Sequence, residues 1–250
     1  MQANSLLPVP YRLEIFETIS STHDEIMARA RDGDPGFLWV TARQQTGGRG
    51  RMGRVWVSPP GNLYASLLLI NPGTLADLPQ LGFVAGLALY DAAAEISGVP
   101  EVFRIKWPND LVAGDAKVSG LLLETSVAGA GRLACGIGFG INCQSSPQGL
   151  AYPATDLYTL TGRRIAPEEM LVVLSRHFAD WLTIWDVGNG FGRVRLEWLS
   201  RAARLNQSIR VRLANREITG IFEGIDPTGR LLLRCEKECV TIDAGDVFLS

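Results

Sequence analysis

The chain has 250 residues, 46% of them hydrophobic, and a formal net charge of -2; that is enough apolar content for one medium domain and a small one. The near-neutral balance excludes a general affinity for DNA or membranes, so any anion site has to be local. No apolar run approaches the roughly 20 residues of a membrane span, and the N-terminus lacks the basic start and apolar core of a signal peptide.

Residues 1–10 read as an irregular arm carrying Pro8 and Pro10. Tyr11 to Ile19 alternates as a short strand. Ser20, Ser21 and Thr22 then offer N-cap hydroxyls to a helix from His23 to Ala30, with Asp24 and Glu25 in its first turn and Gly33 at its end. Such a strand-to-helix junction presents N–H groups and hydroxyls, which serve either plain capping or a polar ligand group. Phe37 to Ala42 is a short apolar strand delivering the chain to Arg43–Trp56. There Arg43, Arg49, Arg51 and Arg54 are interleaved with Gly47, Gly48, Gly50 and Gly53, without one acid.

Guanidinium forks match carboxylate and phosphate oxygens, and glycine lets a backbone come close to a ligand. So many glycines are costly to order, which predicts a loop that is mobile until an anion neutralises it. Most Arg/Gly stretches are surface loops or nucleic-acid tails. This one is compact, unrepeated and runs into strand-like sequence, which favours a clamp over a small anionic substrate.

Pro59-Pro60-Gly61 turns the chain into a central strand from Asn62 to Ile70. Leu78 to Ile96 has apolar residues at helical spacing with small ones among them, the pattern of a closely packed core helix, stopped by Gly98. In Phe103–Val112, Pro108 breaks a strand and leaves Asn109 and Asp110 at a kink beside Lys106 and Trp107. Lysine, amide and carboxylate together can hold a magnesium-bound phosphate; a plain turn also favours Asn-Asp after Pro. A β-hairpin follows, Lys117 to Glu124 returning as Leu133 to Asn142. Lys117 either points into a site from this rigid element or sits solvated at the strand end. Small residues on one face of Gly136–Gly140 leave room for a ligand or a neighbouring backbone.

Cys143 to Pro153 reads as loop. A helix starts near Pro167 and carries Leu171, Leu174, Phe178 and Trp181 on one face; another spans Phe191 to Ala203. From Leu205 the pattern changes to short strands at Ser208–Leu213, Glu217–Ile225, Leu231–Cys235 and Cys239–Ile242. Turns at Ala214–Arg216, Asp226–Gly229 and Glu236–Glu238 separate them, suggesting a small barrel. The chain therefore divides into residues 1–204 and 205–250. Cys135, Cys143, Cys235 and Cys239 contain no CxxC pair, which predicts buried thiols in a reducing cytoplasm.

Four stretches together resemble the biotin protein ligases: Gly48–Trp56, Lys106–Asp110, Lys117–Gly120 and Gly138–Asn142. The resemblance implies an α+β fold, a class II aminoacyl-tRNA-synthetase-like mixed sheet with helices, followed by an SH3-like barrel. It implies that biotin and ATP give biotinyl-5′-adenylate, which then acylates one lysine of a biotin carboxyl carrier protein. By motif, Ser21 and Thr22 would contact biotin's ureido ring, and Gln45 would be a further biotin contact. Arg49, Gly50 and Arg51 would close on its carboxylate and the adenylate phosphate, with Gly120 also in the biotin site. Lys117 would bridge carboxylate and α-phosphate; Arg49, Arg51 and Lys117 would be the catalytic cations. Arg54, Trp56 and Lys106 would bind ATP, Asn109 and Asp110 would place Mg²⁺, and Asn142 would lie near the nucleotide.

Two departures from the family pattern stand out. His23 occupies a position where the family usually has Asn; as a biotin contact it would make affinity fall with pH. The first strand also begins too early to leave space for a winged-helix DNA-binding domain, so the expectation is a ligase without repressor function. A homodimer through an exposed edge strand is compatible with the pattern. A lipoate–protein ligase shares fold and chemistry, but a dithiolane ring asks for an apolar pocket, and Ser21, Thr22 and Gln45 favour biotin. A nucleic-acid module using the arginine loop would bind with strong salt dependence; the charge balance opposes it.

Overall fold

A computed structural model describes residues 7–150, 152–213, 216–236 and 238–249; the expectations for residues 1–6, 214–215 and 237 lie outside the described residues. The first sheet is built from β1 (Arg12–Ile19), β2 (Leu38–Gln45), β3 (Leu63–Ile70), β4 (Phe103–Lys106), β5 (Asp110–Ala113), β6 (Ala116–Ala128) and β7 (Arg132–Ile141). Its spatial order is β1-β2-β3-β7-β6-β5-β4. Only β1 and β2 run parallel; the other neighbours are antiparallel. Helices α1 (Thr22–Arg31), α2 (Leu81–Ser97), α3 (Leu157–Thr161), α4 (Pro167–Trp185) and α5 (Phe191–Ser200) accompany it.

Strand β3 is buried along nearly its whole length, and mostly apolar, because both of its faces are covered. Leu63, Ala65, Leu67 and Leu69 enter the main core with α2, α4 and α5, whereas Leu68 packs with Ile26, Met27 and Ala30 of α1. Helix α1 begins where expected, with Ser21 Oγ accepting from Asp24 N at 3.2 Å. Helix α2 ends at Gly98, whose left-handed φ of 74° a side chain would disfavour.

Three elements depart from the sequence reading. Strand β2 runs on to Gln45 because β1 keeps pairing with it, Ile19 opposite Gln45. Helix α3, not expected, is capped by Asp156, whose carboxylate accepts from Thr159 N at 2.7 Å. The three residues of β12 (Asp246–Phe248) are too few to show an alternating pattern.

That last strand completes the second sheet, with β8 (Ser208–Arg212), β9 (Glu217–Ile225), β10 (Leu231–Arg234) and β11 (Cys239–Ile242) in the order β11-β10-β9-β8-β12. All its pairings are antiparallel. Its apolar face, Ile209, Val211, Phe222, Leu233 and Val247 among others, joins the main core rather than closing a separate one. Arg195 of α5 donates to Ile225 O at 2.6 Å, fastening the two parts.

Cys135 and Cys143 are buried, and burial pushes both thiols up to about 12. Cys235 is half-buried and Cys239 exposed, correcting the expectation of buried thiols throughout; β11 is an edge strand with an open face. No helix among the described residues is long and apolar enough to cross a membrane.

Candidate active site

Side chains alternate across a strand, so β7 shows two faces. Cys135, Ile137, Phe139 and Ile141 enter the core, which leaves Gly136, Gly138 and Gly140 on the other side. The register aligns these glycines with partners on both neighbours: Ser66–Gly138–Leu122 and Tyr64–Gly140–Gly120 lie in rows across β3, β7 and β6. The result is a floor of bare backbone beneath a cavity of about 500 Å³.

At one end the cavity is lined by hydroxyl and amide groups. Gln45 Oε1 accepts from Thr22 N at 2.8 Å and from Thr22 Oγ1 at 3.1 Å. The amide orientation follows, since a backbone N–H can only donate. Thr22 Oγ1 also lies 2.9 Å from Ser66 Oγ, and Gln45 Nε2 donates to Ser58 Oγ at 3.1 Å. Ser21, Thr22 and Ser66 are all buried. Ser66 was not anticipated, although a lone serine inside the run Leu63–Ile70 was the visible signal.

His23 is buried beside this end, its ring against Gly136 and Gly138. Nε2 lies 3.1 Å from Glu124 Oε2, off the N–H axis; Nδ1 is buried with no partner among the described residues. Burial lowers the imidazole below its ordinary value despite the nearby Glu124, so it is neutral at neutral pH.

The arginine loop folds back on itself. Gly50 N donates to Arg54 O at 2.7 Å and Trp56 N to Gly48 O at 2.9 Å. A Cβ on Gly48 would lie 2.7 Å from Ser58 Oγ, so this close crossing requires glycine. Its cations are held by the protein's own acceptors. Arg49 pairs with Asp24 and, at 3.4 Å, with Glu124. Arg51 Nη1 donates to Asn109 Oδ1 at 3.3 Å and to Gly245 O at 3.4 Å, and Arg54 pairs with Asp246. Arg43 points elsewhere, 3.5 Å from Glu17. Glu124 and Asp246 carried no signal in the sequence; each meets its arginine only through the fold.

Lys117 and Gly120 both face the cavity although three residues apart. A regular strand would set them on opposite sides. The β5–β6 register skips Val118, pairing Leu111 with Ser119 and Val112 with Lys117; this bulge re-aims the lysine. Trp56 lies over Gly120 and Gly140, where an added Cβ would come within 3.2 Å and 2.4 Å of its ring. Lys117 Nζ sits 5.3 Å from that ring and 5.6 Å from Tyr152. The indole N–H is buried and has no partner among the described residues.

Two expectations need correction. Asn142 does not line the cavity: its Nδ2 donates to Thr155 O at 3.0 Å and its backbone N to Val118 O, tying the 153–157 segment beside Lys117. Asp110, expected at a magnesium site, presents no free oxygen to a cation. Oδ1 lies 2.7 Å from Lys117 Nζ and Oδ2 2.8 Å from Lys106 Nζ. Asn109 Oδ1, the atom a cation would use, accepts from Arg51 Nη1 at 3.3 Å, and no cluster of three His, Cys, Asp or Glu able to hold a metal occurs among the described residues. This donor set does not fit Mg²⁺. Burial alone would raise the Asp110 carboxyl, but the two ammonium groups prevail and hold it below its ordinary value.

Sequence reasoning also missed the outer wall. Arg212, Asp246, Val247, Phe248 and Leu249 of the second sheet line the same cavity, and Lys106 Nζ donates to Val247 O at 3.4 Å.

A polar pocket, a bare-backbone floor and a ring of guanidinium and ammonium groups define the class: an enzyme that joins a carboxylic acid to a nucleotide phosphate. Residues 16–142 match the Biotin/lipoate A/B protein ligase family and residues 205–250 the Biotin protein ligase C terminal domain. The chain belongs to the biotin protein ligase family. It is 42% identical to the biotin–[acetyl-CoA-carboxylase] ligase of Paracoccus denitrificans, over 91% of this chain and 96% of that protein. It is 31% identical to the bifunctional ligase/repressor BirA of Bacillus subtilis, over 93% of this chain and 72% of that one. The biotin protein ligase of Aquifex aeolicus in complex with biotin and ATP superimposes with a TM-score of 0.81 at 30% identity, covering 95% of this chain and 97% of that one.

Proposed function

We propose that the chain is an ATP-dependent biotin–protein ligase, with the cavity over β3, β7 and β6 as its site. The observation that carries the reading is the convergence of Arg49, Arg51 and Lys117 beside a pocket of buried hydroxyls. Biotin's ureido ring needs hydrogen-bonding groups, which Ser21, Thr22, Gln45 and Ser66 supply in the cavity; a dithiolane has no N–H or C=O to match them. His23 Nδ1 accepts from the same ring system, and Gly50 and Gly120 leave space for the ligand.

Two anions then meet at the α-phosphorus of ATP. The biotin carboxylate, ionised at neutral pH, is already a nucleophile and needs no general base. Arg49 and Arg51 exchange their internal acceptors for ligand oxygens, and Lys117 takes the bridging position between carboxylate and phosphate. Fixed cations lower the barrier because they face charge as it develops. Pyrophosphate leaves, and the mixed anhydride is kept from water by the loop and Trp56. Trp56, Arg54 and Lys106 hold the nucleotide. The acceptor is a lysine of a biotin carboxyl carrier protein.

Residues 1–204 carry the chemistry and residues 205–250 complete the nucleotide side of the cavity. The net charge of -2 supports a ligase without a general affinity for DNA, and the reading places it in the cytoplasm. A homodimer belongs to the same reading and is tested by sedimentation velocity. Incubation with biotin, MgATP and a biotin acceptor domain, followed by mass measurement of the acceptor, tests the activity. A product heavier by one biotinyl group is expected. An unmodified acceptor, with lipoate accepted instead, overturns the assignment.

A further inference from the structure

We infer that Asp110 is a positioning residue: its buried carboxylate holds the Lys106 and Lys117 ammonium groups at the reaction centre, and the divalent cation is carried by the nucleotide phosphates rather than by this side chain. The inference rests on the proposed role of Lys117.

Strand pairing brings three charged groups together here. Lys106 and Asp110 are cross-strand partners in the β4–β5 hairpin, and Asp110 stands opposite Gly120 on β6. Because Gly120 has no side chain, Lys117 folds over it; a Cβ there would lie 2.9 Å from Nζ. Each carboxylate oxygen thus receives one ammonium, at 2.7 Å from Lys117 and 2.8 Å from Lys106. Asp110 is 8% exposed.

A Mg²⁺ ion on either oxygen would have to displace an ammonium and sit beside two like charges in a poorly hydrated place. Mg²⁺ gives up water reluctantly and favours one or two carboxylates with water and phosphate. By contrast, a lysine ammonium on a four-carbon stem is a point charge with no preferred geometry of its own. A buried carboxylate that fixes it supplies the placement a reaction between two anions demands. Asp110 touches neither substrate in this arrangement and acts through its lysines.

The near-isosteric variant Asp110→Asn separates the two roles. Positioning predicts that kcat for biotin-dependent ATP–pyrophosphate exchange falls on the order of 100-fold, from misplaced lysines. The KM for MgATP should stay level or fall, since one negative charge leaves the site, and the half-saturating Mg²⁺ concentration should not move. A metal ligand predicts instead a rise of about 10–100-fold in the Mg²⁺ required. Manganese provides a readout independent of turnover. In paramagnetic resonance titrations, wild type and Asp110→Asn should leave the free Mn²⁺ signal unchanged without ATP, and should bind Mn²⁺·ATP alike. Mn²⁺ bound by nucleotide-free wild type and lost in Asp110→Asn overturns the inference, as does a raised Mg²⁺ requirement. Should Asp110→Asn not fold, Lys106→Met/Asp110→Asn, which removes one cation with the carboxylate, takes its place in the nucleotide-free Mn²⁺ titration, where Lys106's proposed hold on ATP does not enter. Wild type that never exchanges pyrophosphate defeats the ligase reading alone; the Mn²⁺ titration still decides Asp110.

Discussion

Arg54 of the glycine-rich loop is paired with Asp246 on the final strand, 192 positions away, with Nη1 3.3 Å from Oδ1. The contact joins the glycine-rich loop to the C-terminal sheet, and both residues line the cavity. A carboxylate occupies the guanidinium that the proposed reaction needs for phosphate.

Replacing Asp246 with alanine should therefore help the nucleotide more than it harms the fold. The Arg54 side chain is 54% exposed, and exposed pairs contribute only about 0–1 kcal/mol. The urea midpoint should barely move while the KM for ATP falls. A rise in KM would show that the pair holds the loop in its nucleotide-binding form.

Arg51→Ala and Lys117→Ala each remove a cation that the proposed reaction sets against the reacting oxygens. Loss of one such donor typically slows the chemical step about 10²–10³-fold. Pyrophosphate exchange should drop accordingly, while calorimetric affinity for the carrier protein stays unchanged. Near-normal exchange in both variants would remove these residues from the mechanism.

Gly140→Ala places a methyl group 2.4 Å from Trp56 Cε2, so the indole has to leave the floor. Aromatic stacking on the adenine is worth about 1 kcal/mol, roughly a fivefold rise in the KM for ATP. The biotin dissociation constant should change less, because the nearest atoms to the added methyl group all belong to Trp56 and none to Ser21, Thr22 or Gln45. Equal KM values would make Trp56 a loop anchor only.

His23 links the pocket to pH. Burial sets its folded value below the ordinary 6.5, so the unfolded chain binds the proton more readily. Its contribution to stability is complete above the unfolded value and is lost as pH falls through the depressed folded one, by at most about 1.4 kcal/mol per pH unit. Denaturant midpoints for wild type should decline below pH 6.5 more steeply than for His23→Asn, and biotin affinity should fall in step. Parallel curves for the two proteins would exclude His23 as the titrating group.

Most of the elements were legible because their periods are strong. Alternation marked β1, helical spacing marked α2 and α4, and Pro108 marked the break between β4 and β5. Helix α3 and strand β12 were not legible, being too short for a period to register. Ser21, Thr22, Gln45, Arg49, Arg51, Arg54 and Lys117 were nominated by motif, and all line one cavity. Asn142 was misread because an amide's partner depends on what the fold brings beside it, here Thr155 O.

The sequence by itself determined which residue types were at hand: glycines that permit close backbone approach, forks of guanidinium, and one strand of alternating glycine. Composition and local pattern are properties of neighbours along the chain, so they survive without a fold. Only the tertiary structure decided how charges are matched. The bulge at Val118 turns Lys117 toward Asp110, Glu124 falls between His23 and Arg49, and Asp246 closes on Arg54. Coulomb attraction and desolvation depend on distance and burial in space, and those quantities exist only once strands have paired in register.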